Sequence, residues 1–247
     1  MGEVSVRARL KVWGDEIELE MTLPDGPTPL ENLLPVFHRI ADSLVDLGVE
    51  RSAAEGRTVS CRKGCGACCR QLVPIGEDEA RRIGRLVEDL PEPRRGEIRA
   101  RFERAHERLV EAGLLAKLEN RGDFEKDEFA STGLAYFRLG IPCPFLEDES
   151  CSIHPQRPIS CREYLVTSPA VNCADPSPET IDLVKLPGKV WSAVARSAPG
   201  GRSGRYVPWV PLVLAPDWAA RHPDPGPRPV EEVVRGFFRE LAAPKGP

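Results

Sequence analysis

From Val4 to Val12 the chain alternates apolar and polar residues, with Val4, Val6, Ala8, Leu10 and Val12 on one face. After Trp13-Gly14-Asp15-Glu16 the alternation resumes through Ile17, Leu19, Met21 and Leu23. A period of two on each side of a glycine-containing reversal predicts a β-hairpin turning near Gly14-Asp15. Beyond the breaker-rich stretch Pro24 to Pro29 the period lengthens. Leu30, Leu33, Leu34, Phe37, Ile40, Ala41, Leu44 and Leu47 recur every three or four residues, so a helix is expected, with Thr28-Pro29 as its cap and first residue.

Further helical stripes follow. Glu77-Asp78-Glu79 suits a helix N-terminus, and Ile83, Leu86, Val87 and Leu90 continue from it. Ile98, Phe102, Ala105, Leu109 and Ala112 predict a helix over about 97–118, another is expected near 128–139, and Pro229 to Leu241 closes the chain with a last one. Between them, residues 141–180 are rich in proline and turn residues and are expected to rely on their cysteines for order. The fold class predicted is mainly α (α+β): a helical domain with an N-terminal β-hairpin and an irregular cysteine-rich metal-binding region. We read residues 1–247 as a single domain, in which a cysteine core at 58–166 is flanked by hairpin plus helix at 1–57 and a C-terminal extension at 167–247.

Composition narrows the function classes. With 29% charged and 41% hydrophobic residues the chain is an ordinary globular sequence, and a net charge of −4 gives no reason to expect nucleic acid as a partner. No charged-then-apolar leader opens the sequence, and the apolar run Val207 to Ala215 is interrupted by Pro208 and Pro211. It falls well short of the roughly 20 apolar residues a membrane-spanning helix needs. The expectation is a cytoplasmic protein without a membrane partner. Thiols stay reduced in that compartment, so clustered cysteines point to metal ligation or catalysis before disulfides.

The eight cysteines form two groups: Cys61, Cys65, Cys68 and Cys69, then Cys143, Cys151, Cys161 and Cys173. Thiolates are soft ligands suited to zinc, copper(I) and iron–sulfur clusters. Gly64, Gly66 and Ala67 leave the first loop free to turn sharply and aim its sulfurs together. Arg62, Lys63 and Arg70 beside the first group, and Arg157 and Arg162 beside the second, are expected to lower thiol pKa values and offset thiolate charge.

The run Cys61-Arg62-Lys63-Gly64-Cys65-Gly66-Ala67-Cys68-Cys69, followed by Cys143-Pro144-Phe145-Leu146 and then by Cys151 through Arg162, resembles the cysteine-cluster family of zinc- or iron-chelating proteins. That family shows Cys-x(2–4)-Cys-Gly-x-Cys-Cys, then Cys-Pro-Phe-Leu, then Cys-x-Ile-Tyr-x-x-Arg-Pro-x-x-Cys-Arg. The resemblance covers roughly residues 58–166. It implies that Cys61, Cys65, Cys68, Cys69, Cys143, Cys151 and Cys161 are the metal-related residues, with zinc or iron as the bound metal. Arg157, Pro158 and Arg162 match accompanying family positions. His154 stands where the family has tyrosine, and Cys173 lies outside the shared pattern. A similar cysteine signature occurs in flagellin lysine N-methylases, which brings in methyl transfer as an alternative.

Adjacent Cys68 and Cys69 have diverging side chains, which suits the several irons of an iron–sulfur cluster better than one small zinc ion. The Cys61-x3-Cys65-x2-Cys68 spacing is also that of radical S-adenosylmethionine enzymes, and a vicinal pair admits thiol redox chemistry. A protein partner is compatible with all of these readings. The Gly200–Arg205 run lacks the ending of a phosphate-binding loop and reads as a connector.

Overall fold

The computed structural model describes residues 2–120, 126–197 and 207–243. The Gly200–Arg205 run lies outside them. Strands β1 (Glu3–Val12) and β2 (Asp15–Pro24) pair antiparallel along their whole length, with Leu10 opposite Ile17. The turn falls on Trp13 and Gly14, one residue earlier than expected, at φ 50° and 104°. Two successive positive φ values give the primed two-residue turn that matches strand twist. The Arg51 guanidinium, 4.5 Å from the Trp13 ring centroid, holds this tip over the following helix.

That helix, α1 (Leu34–Ala54), begins later than the pattern predicts. Leu30–Leu33 forms a 3-10 turn after Pro29, and Pro35 occupies the first turn of the α-helix proper. Thr28 is no cap; it exchanges two 2.9 Å backbone hydrogen bonds with Arg228. Helix α2 (Glu77–Glu88) opens on its acidic residues as expected. The long helix expected over 97–118 is instead two, α3 (Arg94–Glu111) and α4 (Leu115–Glu119), because Gly113 takes φ 67° and ends the first. Helices α5 (Lys126–Arg138), α6 (Ile159–Glu163), α7 (Val190–Ser197), α8 (Ala215–Arg221) and α9 (Val230–Ala242) follow. Short strands β3 (Pro74–Ile75) and β6 (Val210–Pro211) pair antiparallel, as do β4 (Leu146–Glu147) and β5 (Ser150–Cys151). The fold is mainly α.

Three apolar clusters organise these elements. The first joins the hairpin face (Leu10, Val12, Met21, Leu23) to α1, α7 and α9, with Phe37 and Phe237 in contact at 4.6 Å and Ile159 of α6 reaching in. The second gathers α2, α3, α8 and Phe145, and the third α3, α4, α5 and Trp209. The cysteine segments leave these clusters at Leu72, Phe145 and Ile159, each buried, so the helices hold the ends of the cysteine loops. Among the described residues no helix is long and apolar enough to cross a membrane.

Candidate metal centre

The first cysteine segment reverses at Gly64, whose φ of 83° is favourable only for glycine, and then winds into a 3-10 turn, Ala67–Arg70, that carries Cys68 and Cys69. No residue of that turn is fully buried, so the turn does not hold itself in place. The second segment supplies what it lacks. The Cys143 backbone N–H donates to the Cys69 carbonyl at 2.7 Å, joining the two segments across a long stretch of sequence. Arg70 then forks onto Glu149, Nη1 to Oε2 at 3.0 Å and Nη2 to Oε1 at 2.6 Å, while Nη1 also donates to the Gly66 carbonyl at 3.0 Å. A Cβ on Gly66 would stand 2.6 Å from Glu149 Oε2 and 2.7 Å from Leu146 Cδ1, so a side chain there would push the β4–β5 hairpin off the turn.

The remaining cysteines arrive on three supports. Cys151 ends β5, opposite Leu146. Cys161 rides on α6, whose start is fixed by buried Glu79: its Oε1 accepts the Ile159 N–H at 2.8 Å and its Oε2 the Gly76 N–H at 3.0 Å. One carboxylate thus pins the first turns of both α2 and α6, and burial raises its pKa despite these bonds. In the sequence Glu79 shows only as helix-terminal charge, and its place three residues after Gly76, the reach-back position of a capping box, is the signal for this role. Arg162 bolts α6 to α1 through both oxygens of Asp42 (3.0 and 2.8 Å) and closes the 154–158 loop by donating to the Pro155 and Arg157 carbonyls. Cys173 sits in a second 3-10 turn, Ala170–Ala174, which packs against the first.

The thiols influence one another. The neighbouring Cys69 thiol, ahead of burial, raises the Cys68 pKa. Burial pushes Cys143 up to about 12 and raises Cys61, Cys151, Cys161 and Cys173 as well. Cys68 adds to the repulsion felt by each of these five. The lowering expected from neighbouring arginines is therefore outweighed by burial and by thiol–thiol repulsion. Arg157 does pull Cys61, Cys68 and Cys151 down. Arg70 and Arg162, in contrast, are committed to Glu149 and Asp42.

Cys173, outside the sequence pattern, lies near enough to Cys61, Cys65 and Cys68 for their charges to raise it. His154 has Nε2 in a 2.7 Å hydrogen bond with Arg157, whose charge lowers its pKa. Tyr164 accepts from Gln71 at 2.9 Å and also feels Cys173, Cys68 and Cys61.

Among the described residues no three Cys, His, Asp or Glu side chains are already set at ligating positions. The donor chemistry nevertheless fits a soft metal: the thiols are soft ligands, and metal binding would exchange their protons for a cation. Each paired sheet among the described residues is a two-stranded antiparallel ribbon, unlike the parallel strand–helix barrel of radical S-adenosylmethionine enzymes.

Comparison with known families agrees with this chemistry. Residues 60–178 match the CxxCxxCC family, described as "Putative zinc- or iron-chelating domain". Residues 60–178 are thus similar to that family, and the match runs through all eight cysteines, Cys173 included. No curated protein and no solved structure matches the chain.

Proposed function

We propose that this protein binds zinc or iron through Cys61, Cys65, Cys68, Cys69, Cys143, Cys151 and Cys161, brought together from both cysteine segments, with Cys173 alongside. The observation that carries the reading is the backbone joint between the two cysteine segments, the Cys143 N–H donating to the Cys69 carbonyl at 2.7 Å. The packing of the Cys173 turn against Ala67–Arg70 supports it independently. Buried thiols held neutral are poor nucleophiles but become metal ligands once a cation displaces their protons.

Within that reading, the adjacent Cys68 and Cys69 favour an iron–sulfur cluster over a lone zinc ion, since neighbouring residues on a 3-10 turn leave the backbone about 120° apart. Anaerobic purification followed by zinc, iron and acid-labile sulfide analysis tests both levels. Stoichiometric metal is the expected result, with brown colour and sulfide for the cluster. Zinc without sulfide removes the cluster; a folded chain that takes up neither metal removes the function.

A further inference from the structure

The N-terminal hairpin is covered on one strand and open on the other. Met21 and Leu23 of β2 are buried, but their cross-strand partners on β1 are not: Val4, opposite Leu23, is 43% exposed, and Val6, opposite Met21, is half-buried. Toward the turn the face closes again, with Leu10 and Val12 buried in the first apolar cluster. β1 is thus the outer strand. A groove of about 590 Å³ runs beside it, with Val4, Val6 and Ala8 on one wall and Val230, Val234 and Phe238 of α9 on the other.

The edge of β1 is free as well. A two-residue turn makes Val12 and Asp15 a hydrogen-bonded pair, and such pairs recur at every second residue of an antiparallel ribbon. The Gly2 carbonyl, accepting from the Asp25 N–H at 2.9 Å, keeps that register to the open end. Ser5, Arg7 and Arg9 therefore turn their main-chain N–H and C=O groups away from β2. Among the described residues no backbone hydrogen bond reaches them.

β2 shows what suits such an edge. It alternates Glu16, Glu18 and Glu20 with apolar Ile17, Leu19 and Met21. Arg7 lies 3.7 Å from Glu18 and 3.8 Å from Glu20, Arg9 lies 3.4 Å from Glu16, and the Ser5 hydroxyl donates to Glu20 at 3.1 Å. The free side of β1 offers the same cationic row, Arg7, Arg9 and Lys11, beside an apolar groove. A second copy suits it poorly. Two β1 edges around a two-fold axis would set cationic rows against each other, and β1 paired with another copy's β2 would leave an edge open at each end.

We propose that β1 is a docking edge for an extended segment of another protein, one that alternates acidic and apolar residues and adds as a third strand. Its main chain pairs with Ser5, Arg7 and Arg9, its apolar side chains enter the groove, and its carboxylates meet the cationic row. Exposed ion pairs contribute little, so the main-chain bonds and apolar burial hold the strand while the charges select its sequence.

The probe is a fluorescent peptide copying Asp15–Pro24, titrated into the full chain and followed by anisotropy. Saturable binding is expected, and none for the same peptide with Lys in place of its Asp and Glu residues. Ser5→Pro removes an outward N–H but no β1–β2 bond, and should weaken binding about tenfold or more. Val4→Lys, in the exposed wall of the groove, should weaken it with the edge intact. Unchanged circular dichroism and thermal midpoint verify that the variants are folded. Absence of binding by the acidic peptide overturns the proposal, as does equal binding of the lysine peptide or undiminished binding by the folded variants. Self-association in sedimentation that Ser5→Pro abolishes would make a second copy the occupant and overturn it too.

Discussion

The core around α1 and α9 and the layer that carries the cysteines are built on different principles. In the first, Leu33, Leu34, Phe37, Ile40, Ala41, Leu44, Val233 and Phe237 are sealed from solvent and touch one another. In the second, Ala67–Arg70 contributes no fully buried residue, and its position depends on one backbone hydrogen bond, one arginine fork and a buried carboxylate at the base of α6. Burial scales with apolar area, so the helical part is stable by its own composition. The cysteine layer lacks that area and is held in place by its neighbours. On the proposed reading, a metal would supply order in the part of the fold that has the least hydrophobic core.

The largest effect expected lies in the helical part. Phe37→Ala removes a ring packed on Phe237 and should lower the stability of the whole chain by about 3–5 kcal/mol, whether metal is present or not. Urea denaturation with and without metal checks this, and a loss confined to the metal-loaded form would break the contrast. Removing the metal should do the converse. With metal at about a hundred times its Kd, stripping it should cost the cysteine layer about 2.7 kcal/mol, read as roughly hundredfold faster amide exchange over residues 61–71 and 143–174, while α1 and α9 stay protected. Equal deprotection of α1 would show that the two regions are one cooperative unit. Since burial raises the thiols, binding must release protons, so affinity should strengthen as pH rises and weaken as it falls. A chelator-competition series across pH measures that slope, and an inverse slope would exclude protonated thiols as the ligands. The smallest effect belongs to the clasp. Arg70 and Glu149 are 34% and 50% exposed, so Arg70→Ala should cost under about 1 kcal/mol, and less still in high salt. A measurably faster zinc release from that variant at low salt, vanishing at high salt, would sharpen the view that the two segments are latched before metal binds.

The same contrast explains what could be read from the sequence. The hairpin, α1, α2 and α9 declare themselves through period, because burying one face of a regular element repeats at a fixed spacing. Their errors are local: Trp13 enters a positive-φ turn that its side chain does not advertise, and Gly113 splits one predicted helix into α3 and α4. Helices α7 and α8 are short, and Val207 to Ala215 was legible only as an apolar run; its pairing with β3 and its 3-10 turn come from tertiary contact. At the site, the cysteine spacing carries the likeness to the zinc- or iron-chelating family. The support did not show, because Glu79 reaches Ile159 and Arg70 reaches Glu149 across 80 and 79 positions, and no local pattern encodes such distances. Nor does spacing announce that the turn carrying Cys173 packs against Ala67–Arg70, a contact near in space and far in sequence.

The joint between Cys143 and Cys69 is made by main-chain atoms alone. Among the twenty side chains only proline at position 143 would abolish it, since every other residue keeps the N–H that donates. This one bond therefore survives any other donor side chain at position 143, imidazole and carboxylate included. The joint holds the two loops at the same point while the arginine fork and the space left at Gly66 set the fit around it.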